Sequence, residues 1–283
     1  MASNAMNSSQ LACWIPEVQS ARAIKALEKE LVITKCVWTD WKDQLKFGDT
    51  LNIPIVPDLG SANAVNLNTD LTLNAQNTTR VACIINQWNY KAVGVGYREM
   101  MQNKPDYLDS VADKCVYSVA KAIDYYIGDL FDGLTAGNVG TQGQALTDDV
   151  LLEANENLDT ADVPDENRFL VLDPESITDM FKIDKILRDD YVAKGAVESV
   201  QGFVGRSVYG CKVYRSNNLS AHNTYYHCGG MFHKEAIAAI LQKAPVLDLF
   251  DWKEKFTQVV RAQAWFGAVV ARATAGVCIN TRS

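Results

Sequence analysis

Residues 46–54 read KFGDTLNIP, and after Lys46 neither Lys nor Arg occurs again until Arg80. Leu51, Ile53 and Ile55 alternate with polar or small neighbours, the period of a half-buried strand. Pro54 and Pro57 push that strand to a sheet edge, because proline offers no ladder donor. After the turn-like DLGSAN the alternation resumes, with Val65, Leu67, Thr69, Leu71 and Leu73 on one side. Asn66, Asn68, Asp70, Thr72 and Asn74 fall on the other. Period two held for this long predicts an extended ribbon of about 35 Å at ~3.3 Å per residue. TTRVACII at 78–85 reads as its return strand. A hairpin-like arm of this kind has too little mass around it to be stable alone. It reads as an arm for a neighbouring subunit and not as a substrate site.

On either side of the ribbon the pattern is more ordinary. Val18, Ala21, Ile24, Leu27 and Leu31 recur at helical spacing within residues 17–31, and Trp38 and Trp41 follow in an irregular segment. The clearest helix is 105–132, where Leu108, Val111, Cys115, Val119, Ala122, Tyr126 and Leu130 share a face with Ile123 and Ile127. Pro105 suits its first turn, Asp106 and Asp109 its positive dipole end, and Gly133 its stop. A flexible connection is expected at 133–144, then a helix at 147–158 capped by Thr147. FLVL at 169–172 predicts a short buried strand, 175–188 a further helix, and 202–219 a turn, strand and turn. HKEAIAAILQKA at 233–244 reads as a compact helix, and 255–281 is β-branched enough to return to a sheet. The class is α+β, with one protruding arm.

Composition narrows the function. The 283 residues carry a net charge of −7, with 48% hydrophobic and 22% charged residues. That is an ordinary globular balance, and no basic run offers a duplex-binding groove. Seven cysteines at 13, 36, 83, 115, 211, 228 and 278 include no CxxC pair, which fits reduced thiols better than a disulfide framework. The first twenty residues lack an apolar leader core, and the SNAM at 3–6 reads as a tag remnant. AWFGAVVA at 264–271 is far too short to span a bilayer.

One cluster tempts a chemical reading. His222, His227, Cys228 and His233 stand in the spacing H-x4-HC-x4-H, and zinc takes imidazole and thiolate. The spacing is neither HExxH nor a paired-cysteine knuckle, and Gly229–Gly230 favours a turn over a rigid ligand face. A strand and turn leading to the helix near Lys234 is the preferred reading. GVG at 94–96 and GNVGTQG at 137–143 lack the Walker lysine and the GxGxxG spacing, so both read as loops. Asp148, Asp149, Asp184, Asp189 and Asp190 read as helix-terminal or solvated acids. Tyr125, Tyr126 and Trp252 read as core or interface packing. No catalytic residue, cofactor-binding residue or metal ligand is assigned, and no enzyme is expected.

The order of these elements resembles the major capsid (coat) proteins of tailed bacteriophages, with the HK97-like fold. KFGDTLNIPI (46–55) is similar to that family's passage into an extended loop, the E-loop, and VACIINQWNYKAVGVG (81–96) to the return into a peripheral P-domain. The helix at about 105–132 resembles the spine helix. ALTDDVLLEANENLDTADVPDENRFLVLDPES (145–176) resembles a phrase of helix, Leu-Asp, Val-Pro, Arg, strand and Pro. GAVESVQGFVGRSVYGCKVYRSNNL (195–219) is similar to the passage into a central A-domain, and VVARATAGVCIN (269–280) to the closing strand. The resemblance implies an N-terminal arm at 1–45, E-loop and flanking strands at 46–92, and P-domain at 93–176. It places the A-domain mainly at 177–268 and a C-terminal strand at 269–283.

The function so implied is self-assembly into an icosahedral head enclosing a double-stranded DNA genome, with hexamers and pentamers of the chain itself. A separate scaffolding protein and a portal are the expected partners, because about 45 residues before the E-loop are too few for a fused scaffold. DNA would be held without sequence-specific binding, no membrane is involved, and the chain would reside in the virion after assembly in the host cytoplasm. Some members join neighbours through a Lys–Asn isopeptide bond from an E-loop lysine, and no lysine lies between Lys46 and Lys91 here. An encapsulin-like compartment shell, and a small zinc enzyme built on 222–233, are the alternatives.

Overall fold

The structure, a computed structural model, describes residues 32–40, 48–56, 78–102, 106–183, 203–219, 221–223 and 226–282. The expected helix at 17–31 and the alternating ribbon at 65–73 lie outside these residues, as do Asp184, Asp189 and Asp190.

In chain order, helix α1 is Ile33–Cys36, and β1 (Thr50–Ile55) pairs antiparallel with β2 (Thr79–Ile84). Ile53 faces Val81 and Leu51 faces Cys83, so the start and return of the ribbon are in register as the alternation predicts. Next come β3 (Gln87–Gly96), the short α2 (Tyr97–Gln102), and α3 (Asp106–Asp129), which tightens into a 3-10 turn over Leu130–Gly133. GVG at 94–96 is therefore the end of a strand and not a loop. Gly94 and Gly96 lie opposite Val259 and Thr257 of the neighbouring strand, where the ladder supplies the backbone partners.

Part of the expected connection at 133–144 is also ordered. Gly137–Val139 forms β4, which runs parallel to the last strand. At Gly140 φ is +85°, and a Cβ there would stand 2.5 Å from the Asn280 carbonyl oxygen. Helix α4 spans Asp148–Thr160, with Thr147 at its N-cap in extended conformation but without a side-chain bond to the helix. The buried strand β5 (Arg168–Leu172) follows, then α5 (Pro174–Met180). Asp173 caps α5 by accepting from the Ser176 and Glu175 amides, with Pro174 in the first turn. The helix expected to 188 ends at Met180, and Phe181 already points to solvent with 44% of its surface exposed.

The remaining strands are β6 (Phe203–Val208), β7 (Cys211–Arg215), β8 (Ala221–Asn223), β9 (Tyr226–His233), β10 (Ile237–Trp252), β11 (Thr257–Val270) and β12 (Gly276–Asn280). Residues 202–219 thus hold a two-strand hairpin, turned at Tyr209–Gly210 with both residues at positive φ, where one strand was expected. The helix read at 233–244 is not formed. Lys234–Ala236 makes a single 3-10 turn, and 237–244 is the start of β10. Ala236, Ile237, Ala238, Ala239 and Ile240 are all buried, because this end of β10 is covered on both faces. A strand apolar on both sides shows no alternation, and Ala, Leu, Gln and Lys then read as helix formers. Pro245 sits at the register shifts of β10, an edge strand that needs no donor there. The closing segment 269–280 is two pieces: Val269 and Val270 end β11, and β12 joins another sheet.

Two larger sheets result. One has the order β10-β11-β3, all antiparallel; the other, of seven strands, runs β4-β12-β9-β5-β7-β6 with β8 beside β9. Helix α3, about 36 Å long at 1.5 Å per residue, packs on one face of the three-stranded sheet. Ile123 and Ile127 of α3 and Val260, Ala262, Ala264 and Phe266 of β11 belong to one apolar core. That core continues without a break into the seven-stranded sheet through Phe131, Phe232, Leu170 and Val277. The helix buries a wider arc than the single face read from the sequence: Ala112, Val116 and Ala120 are covered as fully as Cys115 and Val119.

Candidate assembly surface

Strand alternation divides the three-stranded sheet into a face packed on α3 and an opposite, outer face. Cross-strand register lines the outer face with Trp88, Tyr90 and Ala92 of β3, with Val259, Arg261, Gln263, Trp265 and Val269 of β11, and with the matching residues of β10. The two ends of this face differ sharply.

At one end the β1–β2 hairpin lies across it. Ile53 and Cys83 pack with Ala238, Ile240 and Ala271 in a separate small core, flanked by Trp38, Leu51, Ile85 and Val269. The hairpin is held by polar contacts as well: the Ile85 amide donates to the Asp49 carbonyl at 2.8 Å, and Gln242 Nε2 donates to the Gly48 carbonyl at 3.0 Å. Trp38 adds a parallel bridge at Ala238, donating its amide to Ile237 and accepting from Ala239. The closest approach is at Gly267. A Cβ there would fall on the Ile84 carbonyl, 2.9 Å from its carbon and 3.0 Å from Ile85 Cα, so only glycine lets the hairpin down onto β11.

The other end is uncovered. Trp88 and Tyr90 expose 67% and 68% of their surface on a strand whose outer edge is unpaired among the described residues. Trp88 meets Trp265 edge-on at 5.9 Å, and Lys243 Nζ lies 5.3 Å from the centre of the Trp265 ring. Farther along, Arg261 stacks on Phe250 at 5.2 Å while donating to Asp248 at 2.9 Å, and Gln263 donates to the same carboxylate at 2.8 Å. Lys255 sits 4.3 Å over Trp252, at a tip where Phe256 is 73% exposed. Exposed aromatics interleaved with paired charges in this way are what a binding face looks like. Of these residues only Trp252 was singled out from the sequence. The signal for the rest lay in the period-two Trp88 and Tyr90, and register alone brings Trp265 beside them.

The other candidates disperse. His222 lies on β8 and His227 on β9, but their side chains are outside the described residues. His233 ends β9, where its Nδ1 accepts the Glu235 amide at 3.3 Å and burial lowers its pKa. Cys228 is joined to Cys278 in a disulfide across adjacent strands, with Cα atoms 6.3 Å apart. This corrects the expectation that all the thiols are free: β9–β12 register makes the two residues neighbours although 50 positions separate them. Among the described residues no group of three or more His, Cys, Asp or Glu could hold a metal ion. The remaining described cysteines, 36, 83, 115 and 211, are free and buried. Burial pushes the Cys36 thiol up to about 12 and those of Cys83 and Cys211 to about 11. Asp148 accepts a hydrogen bond from the Tyr209 hydroxyl at 2.5 Å, tying α4 to the β6–β7 turn. Tyr126 packs edge-on against Phe266 at 5.6 Å, whereas its neighbour Tyr125 faces solvent.

Comparison with known proteins places this arrangement. No curated protein sequence matches the chain. Among solved structures, one from Mycobacterium phage Che8 superposes with a TM-score of 0.69 at 19% identity, covering 88% of this chain and 90% of that one. The capsid structure of the cyanophage P-SCSP1u gives 0.67 at 18%, covering 89% and 88%. A virus-like particle from Pyrococcus furiosus gives 0.60 at 12%, covering 93% and 98%. These likenesses establish the fold as HK97-like and α+β. A family model described as phage capsid protein matches residues 85–279, well over half of the sequence. The chain, with its two sheets, long helix and half-covered outer face, belongs to the phage capsid protein family and is a structural protein of the capsid.

Proposed function

We propose that this chain is the major capsid protein of a tailed phage and builds an icosahedral head of hexamers and pentamers around double-stranded DNA. The observation that carries the reading is the uncovered aromatic half of the outer face, ending at Trp88, Tyr90 and Trp265. One subunit's own hairpin fills the Gly267 end of that face and leaves the rest for another copy. In this assignment residues 46–92 form the E-loop, and its ribbon reaches over a neighbour. The three-stranded sheet with α3 is the P-domain and the seven-stranded sheet the A-domain. Strand β11 is hydrogen-bonded to β3 and β10 to β11. The proposed P-domain therefore takes in residues up to 268 that the sequence-based division left with the A-domain. The proposed A-domain takes β4 and β5 from the stretch at 93–176.

Buried aromatic anchors carry much of the free energy of protein interfaces, commonly 2 kcal/mol or more each (roughly, on truncation). Repetition around a closed lattice multiplies modest contacts through effective concentration. A net charge of −7 suits a wall that contains DNA without gripping it. A separate scaffolding protein and a portal complete the proposed assembly in the host cytoplasm. The test is expression with and without the candidate scaffold, followed by electron microscopy and sedimentation. Wild-type chains should give shells or capsomers. The paired substitution Trp88→Ser and Trp265→Ser should leave folded subunits, judged by circular dichroism, that no longer assemble. Shells from the double variant would overturn the role of this face. Persistent monomers of the wild type under all conditions would overturn the capsid reading itself. The match to a virus-like particle keeps a compartment shell as the second reading. Nucleic acid inside purified shells favours the phage head, and an enzyme cargo favours the compartment.

A further inference from the structure

Four positions on the solvent side of α3 form one stripe of hydrogen-bond donors. Lys114, Tyr117, Lys121 and Tyr125 are all exposed, the two tyrosines by 46% and 47%. At 100° per residue they fall within an arc of roughly 80°, and at ~1.5 Å rise they run about 16 Å along the helix. Every polar tip in the stripe is an ammonium or a phenolic hydroxyl, and no Val, Leu, Ile or Met side chain is exposed between positions 114 and 125. Asp113 is half-buried beside the stripe, and Asp129 ends it one turn past Tyr125.

More lysines gather round it. Burial and then Asp124 raise the Cys36 pKa, and the exposed Lys35 of α1 and Lys212 of β7 pull it back. Burial likewise raises that of Cys115 in α3, against the pull of the exposed Lys91 on β3. Helix α1 is itself fixed to α3 where Asp124 accepts from Val32 and Thr34. Lys35, Lys91, Lys114, Lys121 and Lys212 are thus gathered about α1 and α3, in a chain whose net charge is −7.

We infer that the Lys114–Tyr125 stripe is where the shell wall touches double-stranded DNA, by phosphate contacts and without reading bases. The inference rests on the capsid reading, in which one side of every subunit faces the contents. The outer face of the three-stranded sheet carries the hairpin and the aromatic assembly surface, and α3 fronts the opposite side. Lysine and tyrosine both donate to phosphate oxygens. A duplex presents one charge per ~1.7 Å of its axis, so a straight stripe of this length meets several phosphates whatever the sequence. A partner helix would need an aliphatic side chain to bury against, and the stripe exposes none. Two ammonium groups per subunit hold weakly, which agrees with a wall that contains DNA without gripping it. Repetition around the lattice, not any single contact, seats the outer layer of the genome.

The test begins on unassembled subunits, which separates it from the capsid reading. Duplex DNA of unrelated sequence, added at low salt, should cut acetylation of Lys114 and Lys121 several-fold and leave Lys182, beyond α5, unchanged. Added salt should abolish the protection. With Lys114→Gln and Lys121→Gln together, the slope of log K against log salt should shrink by about two, at ~0.9 per phosphate; circular dichroism checks that the variant folds. No measurable binding by the wild type, equal protection of Lys182, or an unaltered slope in the variant overturns the inference. The same labelling then compares filled and empty shells. Lys114 and Lys121 should be shielded only where nucleic acid is inside. Shielding in empty shells as well overturns the inference and assigns the stripe to a contact between copies. Failure to form any shell counts against the capsid reading and leaves the subunit result standing.

Discussion

Asp124 is the most exacting residue in the molecule. It has no exposed surface, sits in the last two turns of the longest helix, and ties the chain at Val32 and Thr34 to the Asn218 turn through neutral donors alone. Burial raises its pKa to about 6, and the bonds from Val32, Asn218 and Thr34 offset only part of that rise. The sign follows from linkage. Between about pH 4 and 6 the folded chain holds a proton that the unfolded chain has released, so folding stability falls as pH rises through that window. Asp124→Asn removes the titration and keeps one acceptor oxygen. It is expected to be the more stable form above pH 6, by about 3 kcal/mol at ~1.4 kcal/mol per pKa unit, and to lose that advantage near pH 4. Denaturant midpoints of both proteins at pH 4 and 7.5 check this; a variant-minus-wild-type difference independent of pH would contradict it. No sequence pattern announces Asp124, because a lone Asp on a helix reads as solvated. Arg168 is the opposite case. The Leu-Asp, Val-Pro, Arg phrase was legible as a family likeness, and the structure supplies its physics. The buried Arg168 guanidinium donates to Asp159 at 2.7 Å, to Asn155 at 3.1 Å, and to the Pro164 and Val163 carbonyls. The spaced residues of the phrase are its ligands.

Among the elements, the hairpin base and the strand beneath it depend on one another. β1 and β2 alone would be marginal, as any isolated two-stranded ribbon is. They persist because Ile53 and Cys83 bury against Ala238 and Ile240, which needs the close approach at Gly267. Gly267→Val should therefore lift the hairpin from β11 at a cost of about 1–3 kcal/mol, the usual range for overpacking. Hydrogen exchange should quicken across residues 50–55 and 79–84 and stay slow in β5 and β9. Uniformly faster exchange would mean that the hairpin and core unfold as one unit. This dependence also explains what was readable. β1, β2 and α3 carry their own period, β5 is a short apolar run stopped by Asp173 and Pro174, and their positions follow with errors of a few residues. β10 does not, because the hairpin covers the face that would have stayed polar. Its first eight residues therefore read as a helix. The outer aromatic face was missed for a related reason: Trp88 and Trp265 are far apart in the chain, and only strand register makes them one surface.

For the whole molecule, the proposed assembly draws its cohesion between subunits from surfaces of this kind, and the same sequence limits how permanent that cohesion can be. A covalent lattice built from an E-loop lysine requires one on the loop, and residues 47–90 contain none. Disulfide linkage between subunits is equally disfavoured. Among the described cysteines, Cys228 and Cys278 are already joined within the chain, and the other four are buried with raised pKa values. Thiolate, the reactive form, is then scarce at neutral pH. Assembled shells should therefore be held by burial, hydrogen bonds and avidity alone. Boiled in detergent without reductant, they should run as one band at the chain mass of 31.3 kDa, and reductant should add no new species. A ladder at multiples of that mass which survives reductant would show isopeptide chemistry from a lysine outside the loop. A ladder that reductant collapses would place an accessible thiol at the subunit boundary. Either result would make the lattice covalent and displace the aromatic face as its main source of strength.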